Sequence, residues 1–413
     1  MSETPYDIVV IGGGPAGMMA AITAAEAGAR VILLEKNAVL GKKLSITGGG
    51  RCNVTNNKPV VRDMLSQYKA EGKFLFSPFM QHGVVETMEW FAKRGVLFKE
   101  ENEGRLFPQT ESAQTITDTM VQEIQRTKVE VRRSAEVVAI VKEDKQFQIR
   151  LKKNEVVLAK KCIVAFGGSA RPETGSSGEG FEWLKSLGHT VVENSFALVP
   201  LTTKDTWAKR LSGISIPKCK ITIVADDKKH SVHNGKLLFT HVGVTGPTIL
   251  NMSKTVGELL SYSSVRLQID LFPGMDSQAM NTLFTELFTR NNNKKVRNAL
   301  GKLLPTAVVK ELLLLAKIDA ETQCNSITRV ERIHLLELVK AVPLEINGLL
   351  GKDKAVVSAG GVKLEEVNFK TMESTIVPDL FLVGDVLNVN RPSGGYSLQL
   401  CWTTGYVAGT NAA

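Results

Sequence analysis

Apolar and polar positions follow two different periods along this chain, and the changes of period mark its elements. "YDIVVIG" is an unbroken, β-branched apolar run before a glycine turn, the pattern of a parallel strand buried on both faces. Gly12-x-Gly14-x-x-Gly17 then opens an Ala-rich segment that predicts a helix through Ala27, ended by Gly28. "RVILLE" predicts a second strand ending in Glu35. "KKCIVAF" and "DLFLVG" predict strands that run into further glycine turns at Gly167-Gly168 and Gly384. Extended patterns occupy "KCKITIVAD" and "SVRLQIDLF", whereas Ser277 to Lys340 carries helical spacing in "QAMNTLFTELFTR", "PTAVVKELLLLAK" and "VERIHLLELVK". A last helix is predicted from the turn at Gly394 to about Ala408.

Length adds that one core does not suffice: 413 residues predict two or three domains. Apolar residues at 43% and charged residues at 23% are those of a soluble globular chain and exclude disorder, collagen-like repeats and coiled coil. No apolar run reaches the roughly 18 residues of a bilayer-spanning helix, and "MSETPYD" lacks the basic start of a secretory signal. A cytoplasmic protein without a membrane partner is expected. The five cysteines are scattered, without a C-x-x-C, which predicts neither a disulfide framework, nor a dithiol, nor a metal site. The formal charge of +9 admits nucleic acid or an anionic cofactor as partner, but no sustained basic block or RNA-binding motif is present. A solvated basic surface is the expectation, nucleic acid is disfavoured, and the oligomeric state stays open.

The glycine turn carries the first chemistry. One glycine permits the turn, one lets backbone approach a pyrophosphate, and one lets helix and strand pack closely. Helix-start amides and the helix dipole favour phosphate there, and Pro15, with Ala16 in the same turn, suits a first helical position. Glu35 stands where an acid meets a ribose hydroxyl, and Glu35-Lys36 disfavours a 2′-phosphate. Strand, turn, helix, strand and acid in this order predict a dinucleotide site, but the unit alone does not choose between FAD and NAD.

The next loop, "LGKKLSITGGGRCNVTNN", brings Gly48, Gly49 and Gly50 for close backbone approach to a flat ligand, and Lys42, Lys43 and Arg51 for phosphate or flavin atoms. Together with "GRLFPQT", "GGSARPETGSSGEG", "LLFTHVGVTGP" and "TMES...GDVLNVNRPSGGYSLQ", this series resembles the BaiN-like, aminoacetone-oxidase-like FAD-dependent oxidoreductases, over almost the whole chain and in the expected order. The resemblance implies an α/β fold. Its Rossmann-like FAD-binding domain, of the glutathione-reductase type, is interrupted by a β-barrel-like insertion and a small helical domain. The expected limits are 1–190 and 352–413 for the FAD-binding domain, 191–273 and 346–351 for the barrel, and 274–345 for the helices.

The same resemblance implies a cofactor site. It adds Thr47, Cys52 and Asn53 from the glycine loop, Val137 from a β-meander, and Gly167 and Gly168 with neighbouring Ser169. Gly384 and Asp385 are expected against the ribityl chain. Gly394, Gly395, Tyr396, Ser397 and Leu398 begin a helix aimed at the pyrimidine edge of the flavin, where it would stabilise negative charge. The chain departs from the family pattern at Phe166, often Thr, and at Asp385, Asn388, Asn390 and Arg391, where Glu, Asp, Asp and Gly are common, so no substrate is carried over.

The expected function is two-electron transfer between FAD and a small organic substrate, an amine among the options, or NAD(P)H, with reoxidation by oxygen or another acceptor. A second strand-GxGxxG-helix unit is not apparent, which leaves NAD(P)H the role of a transient donor. His241 is the candidate base and Arg51 the candidate catalytic cation, while a hydrogen-bonded loop histidine and a solvated arginine are the plainer readings. Cys52 is read as small buried packing. Two other functions stay open: a flavin-dependent protein that binds or modifies RNA, and a redox-silent FAD-binding module.

Overall fold

The computed structural model describes residues 4–350 and 357–413. The chain divides into two compact units, residues 1–197 with 352–413 and residues 198–351. The junction expected at 351/352 lies outside the described residues.

In the first unit, strand β1 (Tyr6–Ile11) lies between β2 (Val31–Glu35) and the strand Val156–Val164, all parallel, and the sheet continues to Glu130–Arg133 on one side and Leu380–Leu382 on the other. Ile8, Val9, Val10, Ile32, Leu33, Ile163 and Val164 are wholly buried, as central parallel strands require. Val137–Glu143 and Gln146–Leu151 run antiparallel into Val156–Val164 as a β-meander. Helix α1 (Pro15–Glu26) packs against the C-terminal helix Tyr396–Ala412. A Cβ on Gly405 or Gly409 would fall closer than 3.0 Å to the carbonyl oxygen of Ala16 or Ala20, so the two helix backbones meet along a face of small residues.

The first unit extends to Ala197, past the expected boundary at 190/191. The strand Val191–Ala197 pairs antiparallel with Val357–Val362, so both strands of this ladder belong to the first unit.

The second unit is a closed six-stranded antiparallel barrel with helices packed on it. Its strands alternate with period two: in Val342–Leu349, Val342, Leu344 and Ile346 are buried while Pro343, Glu345 and Asn347 are exposed. The helical part runs from Ser277–Arg290 to Arg329–Lys340, and the chain is already back in the barrel at Val342, before the expected limit of 345. Met280, Phe284 and Phe288 recur every fourth residue on one buried face.

Candidate functional site

The turn after β1 is built on close approach. A Cβ on Gly17 would fall closer than 3.0 Å to the Gly12 carbonyl oxygen, and one on Gly12 would do the same at the Ala165 carbonyl. These two positions bring α1, β1 and the strand Val156–Val164 together. Gly14, by contrast, has ordinary extended backbone (φ −80°), and a Cβ there meets nothing within 4 Å. A Cβ on Gly49 or Gly50 also meets nothing within 4 Å, although their backbone is left-handed. Three glycines of the two predicted loops thus face open space, and Gly14 among them caps a helix whose first-turn amides lack intrahelical acceptors. Open backbone at a helix start is what close approach of a pyrophosphate requires.

Glu35 closes the end of β2. It is buried, its Oε2 accepts from Gly13 N at 2.7 Å, and its Oε1 accepts from Asn37 N at 2.7 Å and Asn37 Nδ2 at 2.6 Å. Each carboxylate oxygen has more than one lone pair, so these bonds orient the group and leave it able to accept from a ribose hydroxyl. Asn37 also donates to the Thr174 carbonyl at 3.0 Å, and Lys36 Nζ donates to Ser177 Oγ at 2.9 Å. The segment Gly167–Gly180 is thereby tied to the end of β2, and Gly167 stands against Ser176. Val137 opens the meander, buried; two residues before it, Ala135 N donates to the Glu35 carbonyl. Phe166 packs on Gly180 and stands edge-on to Phe181 and Trp183, a packing role that a threonine could not fill.

The loop after β2 runs from exposed Lys42, with Nζ 3.5 Å from Asn37 Oδ1, to Lys43, with Nζ 3.4 Å from Asp385 Oδ2. Thr47 Oγ1 donates to the Leu44 carbonyl, and Gly48, Gly49 and Gly50 follow with left-handed backbone. Arg51 is not a free cation. Its guanidinium makes a two-pronged pair with Glu101, 2.7 and 3.3 Å, and lies over the Phe107 ring at 4.3 Å. Cys52 is wholly buried and burial pushes its thiol up to about 12, which removes thiolate chemistry at neutral pH. The Asn53 amide, turned to satisfy its neighbours, donates to the Thr55 carbonyl at 2.9 Å and accepts from Gly395 N at 3.0 Å.

This last bond joins the glycine loop to the start of the C-terminal helix. Gly395 has φ +97°, and a Cβ there would fall closer than 3.0 Å to the Thr55 carbonyl group, so backbone meets backbone. Thr55 Oγ1 donates to Gln399 Oε1 at 2.6 Å, and Gln399 Nε2 donates to the Gly83 carbonyl, Thr87 Oγ1 and Thr403 Oγ1 at 3.1, 2.8 and 3.0 Å. Tyr68 OH donates to the Tyr396 carbonyl at 2.8 Å, and burial pushes the Tyr396 phenol up to about 12. Leu398 is buried, and Gly394 (φ +118°) lies against the Tyr396 ring.

Asp385 pairs with Lys43 and with Arg391, whose side chain is 1% exposed and also bonds the Val389 carbonyl and, at 3.2 Å, Ser397 Oγ. Burial alone would raise the Asp385 carboxyl, but the two cations outweigh it and hold the group below its ordinary range. Gly384 N is fixed by Thr404 Oγ1 at 3.0 Å, and a Cβ on Gly384 would reach Ala16 of α1 at 3.0 Å. Asn390 Nδ2 donates to Glu71.

The first unit therefore gathers the predicted residues of β1–α1, the glycine loop, the Gly167 turn and the Gly384–Leu398 segment. His241 belongs to the second unit, exposed in the turn between the strands Lys228–Thr240 and Gly243–Thr245. Sequence reading passed over Asn37, Thr55 and Gln399 as connectors; their only signal was the density of amide and hydroxyl side chains in the glycine motifs.

A family model described as HI0933-like protein Rossmann domain matches residues 6–411. A protein of Clostridium scindens named 3-dehydro-bile acid delta(4,6)-reductase is 30% identical over 409 residues, covering 98% of each chain. A ribosomal RNA dihydrouridine synthase of Escherichia coli is 30% identical over 406 residues, 97% of this chain and 96% of that one. Among solved structures, 3-ketosteroid-delta4-(5alpha)-dehydrogenase of Rhodococcus jostii superposes with a TM-score of 0.55 at 16% identity, over 99% of this chain and 97% of the other, a likeness of fold.

Proposed function

The chain belongs to the HI0933-like Rossmann family, and on that premise we propose that it is an FAD-dependent oxidoreductase that saturates a carbon–carbon double bond conjugated to a carbonyl. The observation that carries the cofactor is the open space where a side chain would stand at Gly14, at the start of α1, and at Gly49 and Gly50 of the glycine loop in the same unit. The substrate class rests on the two full-length relatives, both named for reduction: one of a 3-dehydro-bile acid at delta(4,6), the other forming dihydrouridine in ribosomal RNA. A conjugated enone and a uracil ring share an alkene polarised by a carbonyl. Neither relative is named for an amine, which makes amine oxidation the weaker reading.

FAD, when bound, supplies the two-electron chemistry. The α1 N-terminus with Gly14 holds pyrophosphate, oriented Glu35 takes ribose hydroxyls, and Asp385, braced by Lys43, takes the ribityl chain. The glycine loop and the start of the C-terminal helix form the floor for the ring system, and the buried Thr55–Gln399 network keeps that floor rigid and dry. NAD(P)H is proposed as a visiting electron donor. Cytoplasmic operation is part of the same reading, and five free, buried cysteines accord with a reducing compartment.

One observation favours RNA over a free enone as the carrier of the alkene. Residues 198–351 hold 20 Lys and Arg against 13 Asp and Glu, so this unit carries +7 of the chain's +9. The test is anaerobic. The protein is reduced with NADH or NADPH, then offered a 3-oxo-4-ene steroid or a uridine-containing ribosomal RNA fragment while flavin absorbance is followed. Reoxidation by either acceptor supports the proposal and identifies the class. Reduction by amines, with no reoxidation by either alkene, overturns it.

A further inference from the structure

The Lys43–Asp385–Arg391 cluster is electrostatically unbalanced. Ser397, which takes the Arg391 Nε–H at 3.2 Å, is the second residue of the 17-residue C-terminal helix. The guanidinium therefore lies at the positive end of that helix, where the macrodipole disfavours a cation. Its side chain is also almost wholly out of water, and a buried charge is costly unless compensated. Asp385 offsets one charge, but Lys43 Nζ brings a second cation to the same carboxylate at 3.4 Å. Two cations and a helix N-terminus exceed one carboxylate. The excess favours a further anion beside the cluster.

We infer that Arg391 is an electrostatic positioning residue of the cofactor site, favouring the reduced over the oxidised form of bound FAD. The inference rests on the FAD reading above. Uptake of two electrons and one proton turns the neutral isoalloxazine into a monoanion. Arg391, held by Asp385, Ser397 and the Val389 carbonyl, keeps a fixed positive charge beside the segment that receives it. Asp385 opposes this effect, and Lys43 adds to it.

The test is the two-electron midpoint potential of the holoprotein, measured anaerobically against a reference dye. R391M is expected to weaken binding of reduced FAD relative to oxidised FAD by about tenfold, which lowers the potential by about 30 mV. R391K retains most of the wild-type value, and D385N moves it upward. If R391M does not hold FAD, K43M provides the downward shift. A lower melting temperature with an unchanged potential shows a merely structural arginine and overturns the inference, as do R391M and D385N shifts of the same sign. Wild-type protein that takes up no FAD removes the underlying function as well, so the two failures are distinct.

Discussion

Replacing Gln399 with methionine keeps the length of the side chain and removes its polar atoms. Gln399 is wholly buried, and its amide serves one backbone carbonyl besides three hydroxyls. In the variant the Thr55 hydroxyl loses the acceptor at 2.6 Å and the buried Thr87 hydroxyl loses the donor at 2.8 Å, whereas the Gly83 carbonyl keeps the Thr87 N–H at 3.1 Å. Thr403 is spared, because its hydroxyl also donates to the His82 carbonyl at 2.7 Å. Each buried group left without a partner costs about 1–3 kcal/mol, so the loss for the two is about 2–6 kcal/mol. With a urea slope of about 3 kcal/mol/M, the midpoint falls by about 0.7–2 M. Urea unfolding followed by tryptophan emission, with Trp402 buried in the same helix, reads the first unit. A double-mutant cycle with T55V isolates the shared bond, and a coupling above about 0.5 kcal/mol is expected for residues in contact. A Q399M midpoint equal to wild type, or purely additive variants, would refute the argument that this network stiffens the floor of the site.

Other consequences are as direct. G405V should cost about 1–3 kcal/mol, because its side chain meets the Ala16 backbone across the helix pair; an unchanged melting temperature contradicts the packing described. His82 is buried, stacked on Tyr406 with centroids 4.2 Å apart, and burial lowers its imidazole to about 3. The unfolded chain then binds the extra proton between pH 6.5 and about 3. Stability is therefore full above pH 6.5 and falls with acid by up to about 1.4 kcal/mol per pH unit. H82F should flatten that dependence in pH-resolved denaturation, and a parallel curve for wild type and variant would refute it. Ser374 Oγ, His189 and Glu366 have the spacing of a hydrolytic triad, 3.0 Å at each step, yet the Ser374 hydroxyl also accepts from Ile376 N and Val377 N and is buried. The cluster is a structural clasp: S374A should lower stability, and labelling of Ser374 by a fluorophosphonate would contradict that assignment.

Much of the cofactor half of this protein is legible in its sequence because the glycines act locally. Gly17 meets the Gly12 carbonyl inside one turn, so strand, helix and acid could be read in order, although Gly12 itself is held to glycine by the distant Ala165 carbonyl. The barrel and helical segments show their periods for the same reason. Connections between distant residues are another matter. Thr55 meets Gln399 across 344 residues and Lys43 meets Asp385 across 342, and neither pair leaves a periodic trace. Arg51 illustrates the converse: its place in the glycine motif suggested a cation for the ligand, while Glu101, fifty residues away, occupies its guanidinium. The strand Val191–Ala197 could not be assigned to a unit from its own pattern, since its partner Val357–Val362 follows the whole insertion.

The central claim is that the cradle around Gly14 holds FAD. Gly14 has backbone angles that any residue adopts and open space where a side chain would go, so G14V should fold as wild type does while its side chain bars the pyrophosphate. Equilibrium binding of FAD to the two proteins is the direct measurement. One FAD per wild-type chain, and at least tenfold weaker binding to G14V with an unchanged circular dichroism spectrum, is the predicted result. Equal affinity for the two proteins, or wild-type protein that takes up no FAD, would contradict it.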